Sequence, residues 1–156
     1  MKVRCNRSEL GEALGALLGI VPATQPAKPI LANFFLSTEG ERLVVEANDL
    51  AIGARMSFEH VEVVEAGEVT LPASRLASLC REIPDKDVTI VGLEGGFGAR
   101  LGAEGFDLKV LGGDPTEFPR VPDVTDGDGV EVDRDSFLES LRRVAIASSH
   151  DPARYQ

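Results

Sequence analysis

Residues 69–83 read VTLPASRLASLCREI: a short alternating strand, a polar turn and an apolar-striped helix. The same unit occurs at residues 3–18, VRCNRSELGEALGALL, and again at 130–145, VEVDRDSFLESLRRVA. Superimposed, Val3, Val69 and Val130 coincide, as do Cys5, Leu71 and Val132. Leu10, Leu76 and Phe137 follow, then Leu14, Cys80 and Leu141, then Leu17, Ile83 and Val144. Alternation in the first part suits a half-buried strand, and the steps of three and four that follow make one helical stripe. Polar residues part strand from helix at 6–8, 72–74 and 133–135. Asn, Ser and Asp side chains accept hydrogen bonds from free helix N–H groups, so the three helices are expected to start there.

Three strand candidates separate the first two helices. ILANFFLSTEG and RLVVEANDL flank a Glu-Gly turn, and AIGARMSFEHVEVVEAG is the third. After the second helix come DVTIVGLEG, GARLGAEG and FDLKVLGG, with glycine turns between them. Each half therefore reads strand, helix, strand, strand, strand. Two such halves predict an α+β domain, with a helix pair against a mostly antiparallel sheet. PRVPDVTDGDG, residues 119–129, is rich in Pro, Gly and Asp and reads as a linker. The expected organisation is a first domain over 1–120, a linker over 121–129, and the opening of a second domain over 130–156. That second domain is expected to stop before its next strand.

With 43% apolar and 27% charged residues, the chain has a globular balance. No apolar run is long enough to span a bilayer, and MKVRCNRSEL lacks the apolar core of a signal peptide. A cytoplasmic chain with two reduced, packed thiols at Cys5 and Cys80 is the simplest expectation. A formal charge of −10 repels a polyanion on average. The charge is uneven, however. Residues 38–69 hold eight acidic groups against Arg42 and Arg55, whereas the second and third helices carry Arg75, Arg81, Arg142 and Arg143. Helices turned toward a polyanion, with acidic strands turned away, would reconcile the net sign with DNA contact.

No active site emerges. GLEGGFG, residues 92–98, lacks the Lys-Ser/Thr of a phosphate loop and precedes no helix, so it reads as a hairpin turn. In SSHD, residues 148–151, adjacent side chains diverge and cannot relay a proton. His60 and His150 are too few for a histidine metal site and read as surface residues. The carboxylates of STEGERLVVEAND and FEHVEVVEAGE read as solubilising charge along exposed strand faces. Neither a cofactor nor a metal is expected.

KPILANFFL, with Pro29, Ile30, Leu31 and Asn33, resembles the PIL-x-N signature of the bacterial sliding clamp, the beta subunit of DNA polymerase III. ANDL (47–50) is similar to that family's TDL, LPASRL (71–76) to its proline-led second helix, and EFP (117–119) to its DFP before the domain linker. IASSHDPARYQ resembles FAxSxDExRY, with Ser149, Asp151, Arg154 and Tyr155 in place. The resemblance covers a first clamp domain and the opening of a second. It implies the DNA-clamp fold, with helices lining a DNA hole and sheets outside, and a non-catalytic processivity factor that encircles duplex DNA without sequence preference. It also implies a homodimeric ring of three-domain subunits that serves the DNA polymerase III core and the clamp loader. By position, the DNA-facing residues are Gln25, Lys28, Arg142, Arg143, Arg154 and Tyr155. Gln25 stands where the family often has a basic residue. Arg75, Phe106 and Leu108 correspond to the surface that meets the other subunit, against a competing reading of Phe106 and Leu108 as ordinary sheet packing. Two further readings stand beside the clamp: a stand-alone clamp-like module that binds a clamp subunit edge without encircling DNA, and an α+β enzyme with an unrecognised site.

Overall fold

The structure, a computed structural model, describes residues 1–24, 26, 28–122 and 129–147. The chain separates into two units, Met1–Pro122 and Asp123–Gln156. The first unit runs β1 (Lys2–Asn6), α1 (Arg7–Leu17), β2 (Asn33–Glu39), β3 (Arg42–Asn48), β4 (Gly53–Phe58) and β5 (Val61–Glu65). It continues with β6 (Glu68–Pro72), α2 (Ala73–Glu82), β7 (Asp87–Gly92), β8 (Gly98–Ala103) and β9 (Phe106–Leu111). The described part of the second unit contains α3 (Arg134–Ala145).

The one sheet expected from the sequence is two, ordered β5-β1-β7-β8-β9 and β4-β3-β2-β6. All strand pairings are antiparallel. The strand that leads into each helix joins the other half's sheet. Val3 lies opposite Ile90 and Cys5 opposite Val88. At the equivalent places Val69 lies opposite Leu36, and Leu71 opposite Phe34. The repeat thus becomes an exchange of strands that ties the halves together. The third strand candidate between the helices is also two strands. The chain turns at Glu59 and His60, and β5 leaves β4 to pair with β1 in the other sheet. Residues 92–98 connect β7 to β8 as a hairpin, with Gly95 and Gly96 in the left-handed region that only glycine enters freely.

Two of the three helices start on a polar cap. Asn6 Oδ1 accepts from the N–H groups of Ser8 and Glu9, at 2.9 and 3.1 Å. Asp133 Oδ1 accepts from the Ser136 N–H at 2.9 Å. α2 departs from the expectation: it follows Pro72 directly and has no side-chain cap. Proline's fixed φ sets up the first turn in its place. The exposed C-terminal carbonyls of α2 have a partner from the other helix. Arg7 donates from Nη1 to the Cys80 carbonyl and from Nε to the Asp85 carbonyl, both at 3.0 Å.

The larger of two buried clusters lies under the helix pair. It combines Leu10, Leu14 and Leu17 of α1 with Leu76 and Cys80 of α2 and the inward residues of both sheets. Each large side chain so buried stabilises the fold by about 1.5–3 kcal/mol. Gly11 brings the helices together: a Cβ there would lie 3.8 Å from the Cys80 Cβ. Burial pushes the Cys5 thiol from 9.0 up to about 12 and the Cys80 thiol up to about 11, the latter partly offset by the charge of Arg7. Both thiols stay neutral in the folded chain at pH values where unfolded thiols ionise. Their stabilising effect is therefore full below about pH 8.5 and is lost as pH rises through the folded values. The urea midpoint should fall above pH 9, and more steeply than in a Cys5→Ala, Cys80→Ala variant. Equal slopes for the two proteins would refute the link to the thiols. Native Cys5 and Cys80 should also resist a thiol reagent that labels both in urea.

In α3, Phe137, Leu141 and Val144 remain 49%, 45% and 63% exposed. The stripe that α1 and α2 bury in the core is thus present on α3 and largely exposed among the described residues. No helix among the described residues is long and apolar enough to cross a membrane.

Candidate nucleic-acid interface

The two packed helices of the first unit expose a face of small net negative charge. Arg75 and Arg81 stand there against Glu9, Glu12 and Glu82. The strands and turns carry the acidity instead: Glu39, Glu41, Glu59, Glu62, Glu65 and Glu68 are all exposed. A chain of charge −10 therefore concentrates its acidity on strands and turns and leaves its helix layer much less repulsive. Arg7 takes little part in that face because the C-terminus of α2 occupies its guanidinium.

Lys28 is exposed just ahead of the short 3₁₀ turn Pro29–Ala32. Arg142 and Arg143 sit in the last turn of α3, where they also complement the negative end of the helix. Arg143 Nη2 lies 2.5 Å from Glu139 Oε1, one turn back, and Arg142 has no ion-pair partner among the described residues. Such an exposed helical pair contributes only about 0.3–0.5 kcal/mol, so Arg143 can exchange Glu139 for a phosphate at little cost. Gln25, Arg154 and Tyr155 lie outside the described residues, as do Ser149, His150 and Asp151.

Phe106 and Leu108 point to one face of β9, opposite Ala103 and Leu101 of β8. Both are half-buried against the core, so the packing reading accounts for part of their surface and leaves the rest open. β9 ends its sheet, and its outer main-chain groups have no strand partner among the described residues. Arg75 is exposed on α2 and is likewise without an ion-pair partner among them.

One feature escapes a reading of the sequence. Glu46, taken above as a solubilising strand residue, is fully buried on the face of β3 turned away from the helices. Its Oε1 accepts from Arg120 Nε at 3.1 Å and Nη2 at 2.8 Å, and its Oε2 accepts from the Val121 N–H at 2.9 Å. These bonds hold the Arg120 guanidinium more firmly protonated than usual. The Arg120 guanidinium also lies 4.2 Å over the Phe35 ring, which stacks on Phe118 at 5.4 Å. Asn48 donates to the Pro119 carbonyl at 2.9 Å. Residues 118–121 are therefore fastened to the sheet, although their composition suggests a free connection. A glutamate inside the apolar run LVVEA is the one local sign of a buried partner.

Known proteins share this fold. The family model for the DNA polymerase III beta subunit, N-terminal domain, matches residues 1–122. The beta sliding clamp of Synechococcus elongatus is 30% identical over 154 residues, covering 97% of this chain and 40% of that protein. That of Streptomyces coelicolor is 32% identical over 153 residues, covering 97% and 39%. The chain thus spans about 40% of the length of these relatives. Among solved structures, the DNA polymerase sliding clamp of Caulobacter crescentus superposes with a TM-score of 0.88 at 26% identity, over 99% of this chain and 42% of that one. The Bacillus subtilis clamp gives 0.90 at 18% identity over the same shares, a likeness of fold alone. The fold is the DNA-clamp fold.

Proposed function

The chain belongs to the DNA polymerase III beta subunit family, and on that basis we propose that it supplies the first domain of a sliding clamp. Residues 1–120 form that domain, 121–129 lead onward, and 130–156 open the next. The assembled clamp is a cytoplasmic, homodimeric ring that encircles duplex DNA and tethers the polymerase III core, after loading by a clamp loader. It makes and breaks no bonds.

The observation that supports this reading is the division of charge between a nearly balanced helix layer and strongly acidic strands and turns. Helices facing the DNA present little electrostatic barrier, while the acidic exterior discourages DNA from binding outside the ring. Contacts from Lys28, Arg142 and Arg143, with Gln25, Arg154 and Tyr155, reach phosphates and not base edges. Such contacts hold DNA without pinning a register, which sliding requires. At the ring's seam, Phe106 and Leu108 on the open edge of β9, with Arg75 of α2, meet the other subunit.

Binding of this chain to duplex DNA should be weak and steeply salt-dependent. Each phosphate contact contributes about −0.9 to the slope of log K against log salt. Replacing Arg142 and Arg143 by Ala should therefore make the slope shallower by up to about 2. Fluorescence anisotropy with two duplexes of unrelated sequence measures this, and affinity should fall equally on both. A preference for one duplex, or a double variant with an unchanged slope, would count against the reading.

A further inference from the structure

A cavity of about 720 Å³ lies where the end of β6 meets the chain leaving β9, and it shares only Lys28 with the DNA contacts. Its volume falls within the range of about 300–1,000 Å³ usual for ligand sites. Pro29, Ile30, Pro72 and Leu111 give it apolar walls, and Asn33 lines it as well. β6 has β2 on one side and no strand on the other. On the open side Thr70 Oγ1 donates to the Gly113 carbonyl at 2.7 Å and accepts from the Gly113 N–H at 2.9 Å, which fastens the chain after β9 beside β6. A Cβ on Gly113 would lie 2.6 Å from Ile30 Cδ1 and 3.4 Å from Asn33 Nδ2, so glycine keeps this space open.

Three polar side chains at the cavity do no work in the fold. Asn33 is only 9% exposed, and its amide bonds to no described residue. Buried polar groups are nearly always paired, so an open amide facing a cavity implies a bond made to something else. Lys28 and Glu117 are exposed at the rim, and neither has an ion-pair partner among the described residues.

These groups narrow the ligand by elimination. An anion gains at Lys28 and loses at Glu117, and a cation does the reverse. An uncharged apolar molecule leaves Asn33 unpaired. A small zwitterion with an apolar body satisfies every group. Its carboxylate accepts from Lys28, its ammonium donates to Glu117, and the Asn33 amide, which both donates and accepts, bonds to either. The apolar walls then take the side chain, and Leu111, 65% exposed, gains a cover. We infer that this cavity binds a free α-amino acid with a large apolar side chain. No open main-chain group of β9 takes part, and the site requires neither a ring nor DNA.

The probe is L-phenylalanine, titrated into the 156-residue chain at about pH 6.5, where α-amino groups are protonated, and followed by amide NMR. Saturable shifts are expected at Ile30, Gly112, Gly113 and the Asn33 side-chain amide. Glycine keeps both charges but lacks the ring, and should bind at least about tenfold more weakly. N-acetylphenylalanine lacks the ammonium and phenylalaninamide lacks the carboxylate. Each should bind about two- to fivefold more weakly than phenylalanine. Asn33→Ala should weaken phenylalanine binding by about five- to tenfold, the worth of one hydrogen bond. Its amide has no partner to lose in the fold, so this variant should keep a native spectrum. Glu117→Gln alters the exposed rim alone. Phenylalanine should bind it about two- to fivefold more weakly, whereas N-acetylphenylalanine, with no ammonium, should bind it at least as well as wild type. The inference is overturned by absent saturable shifts at these amides, by glycine or either one-charge analogue binding as tightly as phenylalanine, or by undiminished binding to both variants.

Discussion

Gly112→Ala is expected to lower the stability of the first unit by roughly 3–5 kcal/mol, combining overpacking with lost hydrogen bonds. The new methyl would stand 1.6 Å from the Thr70 carbonyl oxygen, an overlap with backbone that no rotamer change can relieve. Residue 112 must then move away from β6. That movement pulls on the Gly112 N–H bond to the Phe97 carbonyl, at 2.9 Å, and on the paired bonds between Thr70 and Gly113. The Thr70–Gly113 bonds join the edges of the two sheets, so the loss should be global. Small domains have only about 5–15 kcal/mol in total, and the variant should melt far earlier or fail to fold at 37 °C. Two controls separate sterics from glycine chemistry. At Gly102 the nearest atom to an added Cβ is 4.0 Å away, so Gly102→Ala should be neutral or stabilising by about 0.5–1 kcal/mol. Gly105→Ala has open space but a φ of +73°, and should cost only about 1–2 kcal/mol of backbone strain. If Gly112→Ala melts within a degree or two of Gly102→Ala, the close approach of the sheet edges is not rigid in solution.

What could be read from the sequence follows from what is local. Leu10, Leu14 and Leu17 repeat at helical spacing, and α1 buries them. Phe106 and Leu108 alternate, so their shared face on β9 was legible, as was the exposed basic end of α3. Partner choice was not legible. Alternation says which face of β1 is apolar, but nothing near Val3 says that Ile90 lies beside it. The turn at Glu59 and His60 contains neither glycine nor proline, so β4 and β5 read as one segment although they enter different sheets. Glu46 and Arg120 lie far apart in the chain, and a single glutamate among apolar residues does not name its partner. Side-chain identity marks the surface, and long-range pairing decides what the surface encloses.

Arg120→Ala is the second large effect. Glu46 is fully buried, and the substitution would leave its carboxylate with the Val121 N–H and with Arg55 Nε at 4.0 Å. Removing one partner of a buried pair costs about 3–5 kcal/mol; because the Arg120 side chain is 42% exposed, roughly 2–4 kcal/mol is expected here. Arg120→Lys keeps the charge but loses the two-nitrogen grip and the planar stack on Phe35, and should fall between wild type and Arg120→Ala. The pairing of Arg120→Met with Glu46→Leu should recover most of the loss, because it removes the stranded charge together with its partner. Loss in the single variant and recovery in the double would show that desolvation of Glu46, and not the contact itself, sets the energy. The consequence for dynamics is local. Residues 118–121 carry the chain out of the first unit, and the Val121 N–H is held by the same carboxylate. Its hydrogen exchange should accelerate in Arg120→Ala by more than the global loss of stability explains, as the strap lifts from the sheet. A stability within about 0.5 kcal/mol of wild type, the range of ordinary surface substitutions, would show that the pair is already solvated and the strap already loose.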